Sequence, residues 1–368
     1  MSTRPSRLRE TARDRRIVRD LAAWFSKNAR ALPWRTNPRL AYPSLVSELM
    51  LQQTQVSRVL EKFEAFLEKF PTVEVLAAAD EAEVLAAWSG LGYYRRARLL
   101  HACAKIIVRD HAGTVPDSIE KLVQLPGIGK YTAGAIVSIV FGELAPIVDG
   151  NVCRVLQRLD AKRGHASERA VIDWAWSRAG ALVALSVRGE QVAQFNEGLM
   201  ELGATICTPD RPRCGQCPLR SICVASNEQL SGAIPVPKPR ARIRRVFHDV
   251  IVVWRRDASG KASYLLEQRP ANGLWAGLWQ PPAREGDKKM PDGPALAAQL
   301  GLHDLELESS APTCSVFCTT HREVHFRTWY ATQPTKKPGL RRWIRHDELH
   351  TVAISNAHRG LIARCLHR

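Results

Sequence analysis

The stretch LPGIGKYTAGAI, residues 125–136, decides how the rest of this chain is read. Pro126, Gly127 and Gly129 punctuate two apolar helical segments, and the glycines allow a turn too tight for side chains. Such a turn leaves amide N–H groups free at the start of a helix from Lys130. Those amides and the helix dipole can hold a phosphate without reading a base. This is a helix–hairpin–helix signal, and it makes Gly127, Gly129 and Lys130 candidate contacts to DNA phosphate. A plain turn between packed helices is the simpler alternative.

Upstream, Ile17, Leu21, Trp24 and Phe25 fall on one helical face. Residues 31–44 are too proline-rich for helix. The run LVSELMLQQTQVSRVLEKFEAFLEKF, residues 45–70, reads as a helix capped by Ser44, and RRARLLHACAKIIVRDH, residues 95–111, as another. Apolar helical stripes recur through the 150s, 170s and 190s. Little before residue 224 reads as strand, so the first part of the chain is an all-helical body. Composition then changes. GAIPVPKPRARIRR, residues 232–245, carries Pro235, Pro237 and Pro239 and reads as an extended basic linker. Beyond it, segments at 248–256, 263–270, 315–333 and 340–345 alternate or are rich in β-branched and aromatic residues. With a small helix at 293–300 and another near the C-terminus, this is a second, mixed α/β domain from about residue 243.

The 368 residues include 53 Lys plus Arg against 36 Asp plus Glu, a net charge of +17 that suits a polyanion. No run approaches the ~18 apolar residues of a membrane span, and MSTRPSRLRETARDRR lacks the apolar core of a secretory signal. Nucleic acid is therefore the expected partner, and no membrane. Five of the nine cysteines are scattered, as in a reducing compartment. The other four, Cys207, Cys214, Cys217 and Cys223, are spaced C-x6-C-x2-C-x5-C in CTPDRPRCGQCPLRSIC. Four thiols so close can wrap one soft cation or a cubane iron–sulfur cluster. Zinc and a disulfide pair are the alternatives; the wide first gap and the lack of a second CxxC knuckle argue against zinc.

Two carboxylates carry the candidate chemistry. Asp149, in PIVDGN, stands at a helix entry and on its own reads as an N-cap. Glu48 lies mid-helix in SELMLQQTQ, flanked by Leu49, Met50 and Leu51. An apolar wall there would raise its pKa, as an acid requires, whereas a surface glutamate is the plain alternative. Two carboxylates in different environments are the logic of glycosidic cleavage: one protonates the leaving group and the other faces the sugar cation.

LQQTQV, WSGLGYYRRARLL, LPGIGKYTAGAI, VDGNVCRVL and the cysteine loop, in that order, resemble the helix–hairpin–helix, iron–sulfur DNA glycosylases, and most closely the adenine DNA glycosylases. The likeness is dense over residues 30–223 and continues more weakly beyond. It implies a mostly α fold: a two-lobed glycosylase body with a [4Fe-4S] cluster loop, followed by a C-terminal α/β Nudix-like domain. One lobe would comprise 1–29 with 148–206, the other 30–147 with the helix–hairpin–helix at 122–142. The cluster loop would be 207–223, the linker 224–242 and the Nudix-like domain 243–368. The implied activity is base excision repair: removal of adenine mispaired with 8-oxoguanine or guanine in double-stranded DNA, with the adenine flipped into a pocket. A monomer acting in the cytoplasm, on the nucleoid, is expected.

Carried over residue by residue, the resemblance makes Glu48 the acid that protonates adenine N7 and then helps position water. Asp149 would stabilise the oxocarbenium-like centre, Asn151 orient it, and the Tyr131 phenol bond near it. Trp34, Arg35, Leu51 and Glu197 resemble the adenine pocket; Gln53 and Tyr93 resemble residues that fill or wedge the duplex. Tyr131 also stands where bifunctional relatives place a Schiff-base lysine. Lys130 is one place early, about 100° round the helix. Monofunctional hydrolysis leaving an abasic site is expected.

In the C-terminal part, ANGLWAGLWQPP (271–282) and PALAAQLGL (294–302) resemble the tryptophan-glycine loop and short helix of the Nudix-like lesion-recognition domain. The glutamate-rich REx-x-EE helix is missing, so pyrophosphohydrolase activity is not expected. The family's Phe-Ser-His lesion reader corresponds to His321–Phe326: His325 matches the histidine, but Val324 replaces the serine and Glu323 the aromatic. Valine cannot donate to the edge that distinguishes the lesion from guanine. A shifted register would use Thr319, Thr320 and His321. Two other functions stay open: a relative excising thymine or uracil opposite guanine, and an iron–sulfur DNA-binding module without turnover. The first would not need the long C-terminal domain; the second would tolerate loss of Glu48 and Asp149.

Overall fold

The computed structural model describes residues 4–237, 243–258, 260–287, 289, 292–319, 321–332 and 341–367. It divides into two compact units, one drawn from residues 1–77 and 99–239, the other from 78–98 and 240–368. The helices preceding the linker are α1 (Arg4–Asn28), α2 (Ala41–Leu51), α3 (Val56–Leu60), α4 (Phe63–Lys69), α5 (Val73–Ala78), α6 (Glu81–Ala87), α7 (Arg95–His111), α8 (Ile119–Leu122), α9 (Lys130–Ala135), α10 (Gly150–Leu159), α11 (Arg169–Val183), α12 (Glu190–Thr205) and α13 (Val224–Asn227). Among the described residues of the first unit there is no strand, and no described helix is long and apolar enough to cross a membrane.

In α2 the pairs Leu45/Leu49 and Val46/Met50, each four residues apart, are fully buried and pin the helix against the unit. The helix predicted over 45–70 is broken instead into α2, α3 and α4. None of residues 51–55 is buried, so nothing apolar holds that polar turn in a helix. Gln53 takes a left-handed φ of 55°. The helix–hairpin–helix lies between α8 and α9, where Gly127 has φ +80° and a Cβ would come 2.8 Å from Leu99 Cβ. After α9 the chain widens into a π turn over Ile136–Val140. The core joins Ile17 and Leu21 of α1 to Val152 and Leu156 of α10 and Phe195 and Leu199 of α12. Two glycines of α12 permit the close approach: a Cβ on Gly198 would sit 3.0 Å from Leu21 Cγ, and one on Gly203 2.7 Å from Asn151 Cβ.

The cysteine loop corrects one expectation. Cys207, Cys214, Cys217 and Cys223 line one small cleft with Arg158 and Ser231. Among the described residues, however, no group of three or more His, Cys, Asp or Glu is disposed to hold a metal ion. The [4Fe-4S] cluster, and with it the iron–sulfur and metal-binding assignment, is therefore withdrawn. Three of the sulfurs have protein hydrogen-bond partners. Cys207 Sγ accepts from Arg158 Nη1 at 3.4 Å, Cys214 Sγ donates to Ser231 Oγ at 3.9 Å, and Cys223 Sγ donates to the Arg158 carbonyl at 3.4 Å. Burial pushes the Cys217 thiol up to about 12 and raises Cys223, and the neighbouring cysteines of the loop add to both rises. The loop is anchored by arginine: Arg158 Nη1 and Nη2 donate to the carbonyls of Thr208 and Pro209, and Arg154 Nε to that of Cys207.

In the second unit a mixed sheet is built from β1 (Arg244–Arg256), β2 (Ala262–Gln268), β3 (Trp279–Gln280), β4 (Ala283–Gly286), β5 (Glu306–Leu307), β6 (Thr313–Cys318), β7 (Arg322–Thr332) and β8 (Arg342–Arg345), with helices α14 (Gly293–Gln299) and α15 (Asn356–Ala363). The strand order is β3-β2-β1-β7-β5, with β4 on β1, β6 on β7 and β8 on β2. β1 and β7 run parallel, Val246 opposite Val324 and Trp254 opposite Thr332. Alternation sorts the side chains: Val250, Val252, Val324, Phe326 and Tyr330 pack with Leu361 and Ile362 of α15. Ile251, Val253, Trp329 and Ala331 pack with Leu296 of α14 on the other face. Residues 78–98 join this unit through Tyr94, whose hydroxyl donates to the Ile354 carbonyl at 3.0 Å, and Arg98, which donates to that of Ala276 at 3.0 Å. In the linker, the described part packs on the first unit, with Arg158 Nε donating to the Ile234 carbonyl and Val236 N to that of Gly164. Lys238–Arg242 and Thr320 lie outside the described residues.

Candidate active site

A cavity of about 530 Å³ opens in the first unit, with Glu48, Tyr131, Asp149 and Asn151 in its lining. Trp34, Arg35, Leu51, Gln53 and Glu197 line it too. The fold thus gathers nine sequence-predicted residues from α2 and the turn after it, α9, the N-terminus of α10, α12 and the proline-rich segment before α2. Glu48 reaches it because α2 buries the residues on either side, Ser47 and Leu49. Asp149 caps α10, accepting from Val152 N at 2.7 Å, and its second oxygen accepts from Asn151 Nδ2 at 3.3 Å. Asn151 is held in turn by Arg154, whose Nη2 donates to Asn151 Oδ1 and to the Gly203 carbonyl, both at 2.8 Å.

The two carboxylates differ in environment. Glu48 is pushed up to about 7, chiefly by burial, with the Asp149 and Glu197 charges adding to the rise and the Tyr131 hydroxyl and Arg35 opposing it. Burial also raises Asp149, but Val152 and Asn151 donate to the carboxylate and Arg154 draws it down. At neutral pH the first can carry a proton while the second has donors suited to an anion. The Tyr131 hydroxyl, raised well above its ordinary value by burial and both carboxylates, also donates to Met200 Sδ at 3.0 Å.

Other expected residues lie elsewhere. Lys130 sets its ammonium 4.0 Å from the centre of the Trp176 ring. Tyr93, at φ 47° and 48% exposed, belongs to the second unit, as do His321 and His325. His321 sits exposed in the turn joining β6 to β7, where the Thr319 hydroxyl accepts from Arg322 N at 3.0 Å. His325 lies along β7 with Nε2 2.7 Å from Glu323 and its ring tilted on Phe247. Val324 is wholly buried on the opposite face, among the α15 contacts.

Sequence reasoning missed four residues of this cavity. Arg30, Arg39 and Glu201 complete a charged wall with Arg35 and Glu197, and Met200 contacts the Tyr131 phenol. The signal was a second carboxylate, Glu201, four residues after Glu197 among the apolar side chains of α12.

A family model described as HhH-GPD superfamily base excision DNA repair protein matches residues 46–178, which contain Glu48, Tyr131 and Asp149. A NUDIX domain model matches residues 250–364. Fold and site together define a base excision DNA repair glycosylase carrying a Nudix-like domain. The chain is 34% identical over 395 residues to the adenine DNA glycosylase of Homo sapiens, covering 92% of this chain and 71% of that protein. It is 46% identical over 200 residues to the adenine DNA glycosylase of Mycobacterium tuberculosis, covering 54% and 64%. A solved structure of a thermostable thymine-DNA glycosylase superimposes with TM-score 0.51 at 27% identity, over 59% of this chain and 99% of that one. The chain belongs to the adenine DNA glycosylase family and acts as an adenine DNA glycosylase in base excision repair.

Proposed function

We propose that the chain excises adenine lying opposite 8-oxoguanine or guanine in double-stranded DNA, by hydrolysis that leaves an abasic site. The observation carrying this reading is the pair of unlike carboxylates, Glu48 held up to about 7 and Asp149 capped by donors, lining one cavity. Glu48 gives its proton to N7 of the flipped adenine, which makes the base a better leaving group. Asp149 then faces the positive charge developing on the sugar, held in aim by Asn151 and Val152 N. Tyr131 holds Glu48 by a hydrogen bond from α9, and because it is not a lysine no Schiff base forms there. Trp34, Arg35, Leu51 and Glu197 form the base pocket, and Gln53 and Tyr93 fill the duplex.

Amides at Gly127 and Gly129, with Lys130, hold backbone phosphate, and the net charge of +17 draws the chain to DNA. The β6–β7 turn, bearing His321, meets the opposing base; its exposure supports it over His325, which is half-buried along β7. The lobes and boundaries inferred from the resemblance, a monomeric state and action on the nucleoid belong to the same reading.

The test is single-turnover adenine release from duplexes with adenine opposite 8-oxoguanine, guanine and cytosine, alkali revealing abasic sites. Faster release opposite 8-oxoguanine than opposite cytosine is expected; no preference between them refutes recognition of the opposing base. A thymine-guanine duplex is included because a solved structure of a thymine-DNA glycosylase is similar to this fold. Thymine release faster than adenine release would assign that substrate instead.

A further inference from the structure

Three guanidiniums and two carboxylates form a continuous chain along one wall of the cavity. Arg30 Nε and Nη2 donate to Glu201 at 2.6 and 3.0 Å, and Arg35 Nη2 donates to the same carboxylate at 2.9 Å. Arg35 Nε donates to Glu197 at 3.1 Å, and Arg39 Nη2 bridges both Glu197 oxygens at 2.9 and 2.7 Å. The Glu201 side chain is 1% exposed, Glu197 7% and Arg35 11%. Charges so deeply placed are tolerated only when fully paired, so each member fixes its neighbours. Arg35 is further stacked 5.0 Å over the Phe25 ring and donates to the Arg30 carbonyl at 3.1 Å.

We propose that Glu201 and Arg39 are positioning residues of the excision reaction: by holding Arg35 and Glu197 they fix both the wall of the base pocket and the charge that Glu48 faces. The inference rests on Glu48 being the acid. The charged and titratable groups sharing the cavity with Glu48 are Tyr131 from α9, Asp149 at α10, Glu197 and Glu201 from α12, and Arg30, Arg35 and Arg39 from the segment before α2. Of these, Arg35 favours the Glu48 carboxylate, and Glu197 and Asp149 favour its protonated form. Glu201 compensates Arg30 and Arg35, and Arg39 compensates Glu197. Removing either compensator therefore displaces the Glu48 proton in opposite senses. Without the Glu201 charge, Arg30 and Arg35 pull Glu48 toward its carboxylate. Without Arg39, Glu197 presents more negative charge and keeps the proton on.

The experiment is the single-turnover rate of adenine release by the full chain from an adenine:8-oxoguanine duplex, followed between about pH 5.5 and 9.5 to capture the alkaline limb. Glu201→Gln is expected to move that limb to lower pH by about half a unit or more, making release about threefold slower above it. Arg39→Gln is expected to move it to higher pH. A merely structural role would slow both variants without displacing their limbs in opposite directions. Limbs that stay at the wild-type position, or move together, overturn the proposal. If Glu201→Gln fails to fold by circular dichroism, the displacement in Arg39→Gln decides alone. No adenine release by the wild-type chain would instead refute the underlying assignment of Glu48.

Discussion

Gly203→Ala tests how tightly the packing of α12 governs the site. An added Cβ would lie 2.7 Å from Asn151 Cβ and 3.2 Å from the Asn151 carbonyl carbon and oxygen. Carbon atoms in contact settle at about 3.5–4.0 Å, so the approach is short by about 1 Å. The obstacle is the first turn of α10, which cannot swing away as a long side chain would. Asn151 Nδ2 is already 3.3 Å from Asp149 Oδ2, and a further displacement of that size breaks the bond. Misplacing a reacting group by about 1 Å costs on the order of a hundredfold in rate. Stability should change less: overpacking costs about 1–3 kcal/mol, and replacing glycine within a helix returns about 1 kcal/mol. The net loss of about 0–2 kcal/mol lowers the melting temperature by a few degrees for a unit of this size. Gly180→Ala is the control, since nothing lies within 4 Å of its added Cβ. Single-turnover adenine release and thermal denaturation read the two effects. A Gly203→Ala rate within about twofold of wild type would refute the claim that Asn151 must hold Asp149 in aim.

Asp149→Asn keeps an oxygen to accept from Val152 N but loses the anion. Adenine release is expected to fall about a hundredfold or more with stability changed by less than about 1 kcal/mol, as quench-flow and denaturant titration would report. The wild-type rate should fall as pH rises through about 7, where Glu48 loses its proton. That group, raised in the folded state, stabilises folding fully below its unfolded pKa and loses the contribution as pH rises through about 7, so on its account melting is higher at low pH. The buried pair His248 and His358, Nε2 to Nε2 3.3 Å, has the opposite sense. Burial lowers His248 to about 3 and depresses His358 as well, so the unfolded chain binds their protons first and the second unit loses stability as pH falls below about 6.5. Tryptophan-fluorescence melts of the full chain over a pH series should show this loss, and His248→Phe should reduce it.

The helices and strands were legible wherever a period of burial persisted. Residues 95–111 repeat their apolar side chains at the helical spacing, residues 248–256 carry an unbroken β-branched run, and each forms the element expected. The break after Leu51 was not legible, because a left-handed residue at Gln53 is a property of the turn and not of glutamine. Glu48 was readable from its apolar flanks, and Asp149 from the helix entry. Their neighbour Arg30 was not, since it meets Glu201, 171 residues away, only through the packing of α1 on α12. The cysteine spacing misled for a related reason: closeness in sequence leaves open where each sulfur turns, and Arg158 and Ser231 take three of the four. The grouping of residues 78–98 with the C-terminal unit likewise depends on tertiary bonds from Tyr94 and Arg98.

The most direct test of the central claim is single-turnover adenine release by Glu48→Gln from an adenine:8-oxoguanine duplex, with duplex affinity measured by fluorescence anisotropy. Glutamine preserves shape but carries no transferable proton. The account predicts that release falls by at least about a hundredfold while affinity stays within a few-fold of wild type. Release at the wild-type rate would contradict the assignment of Glu48 as the acid.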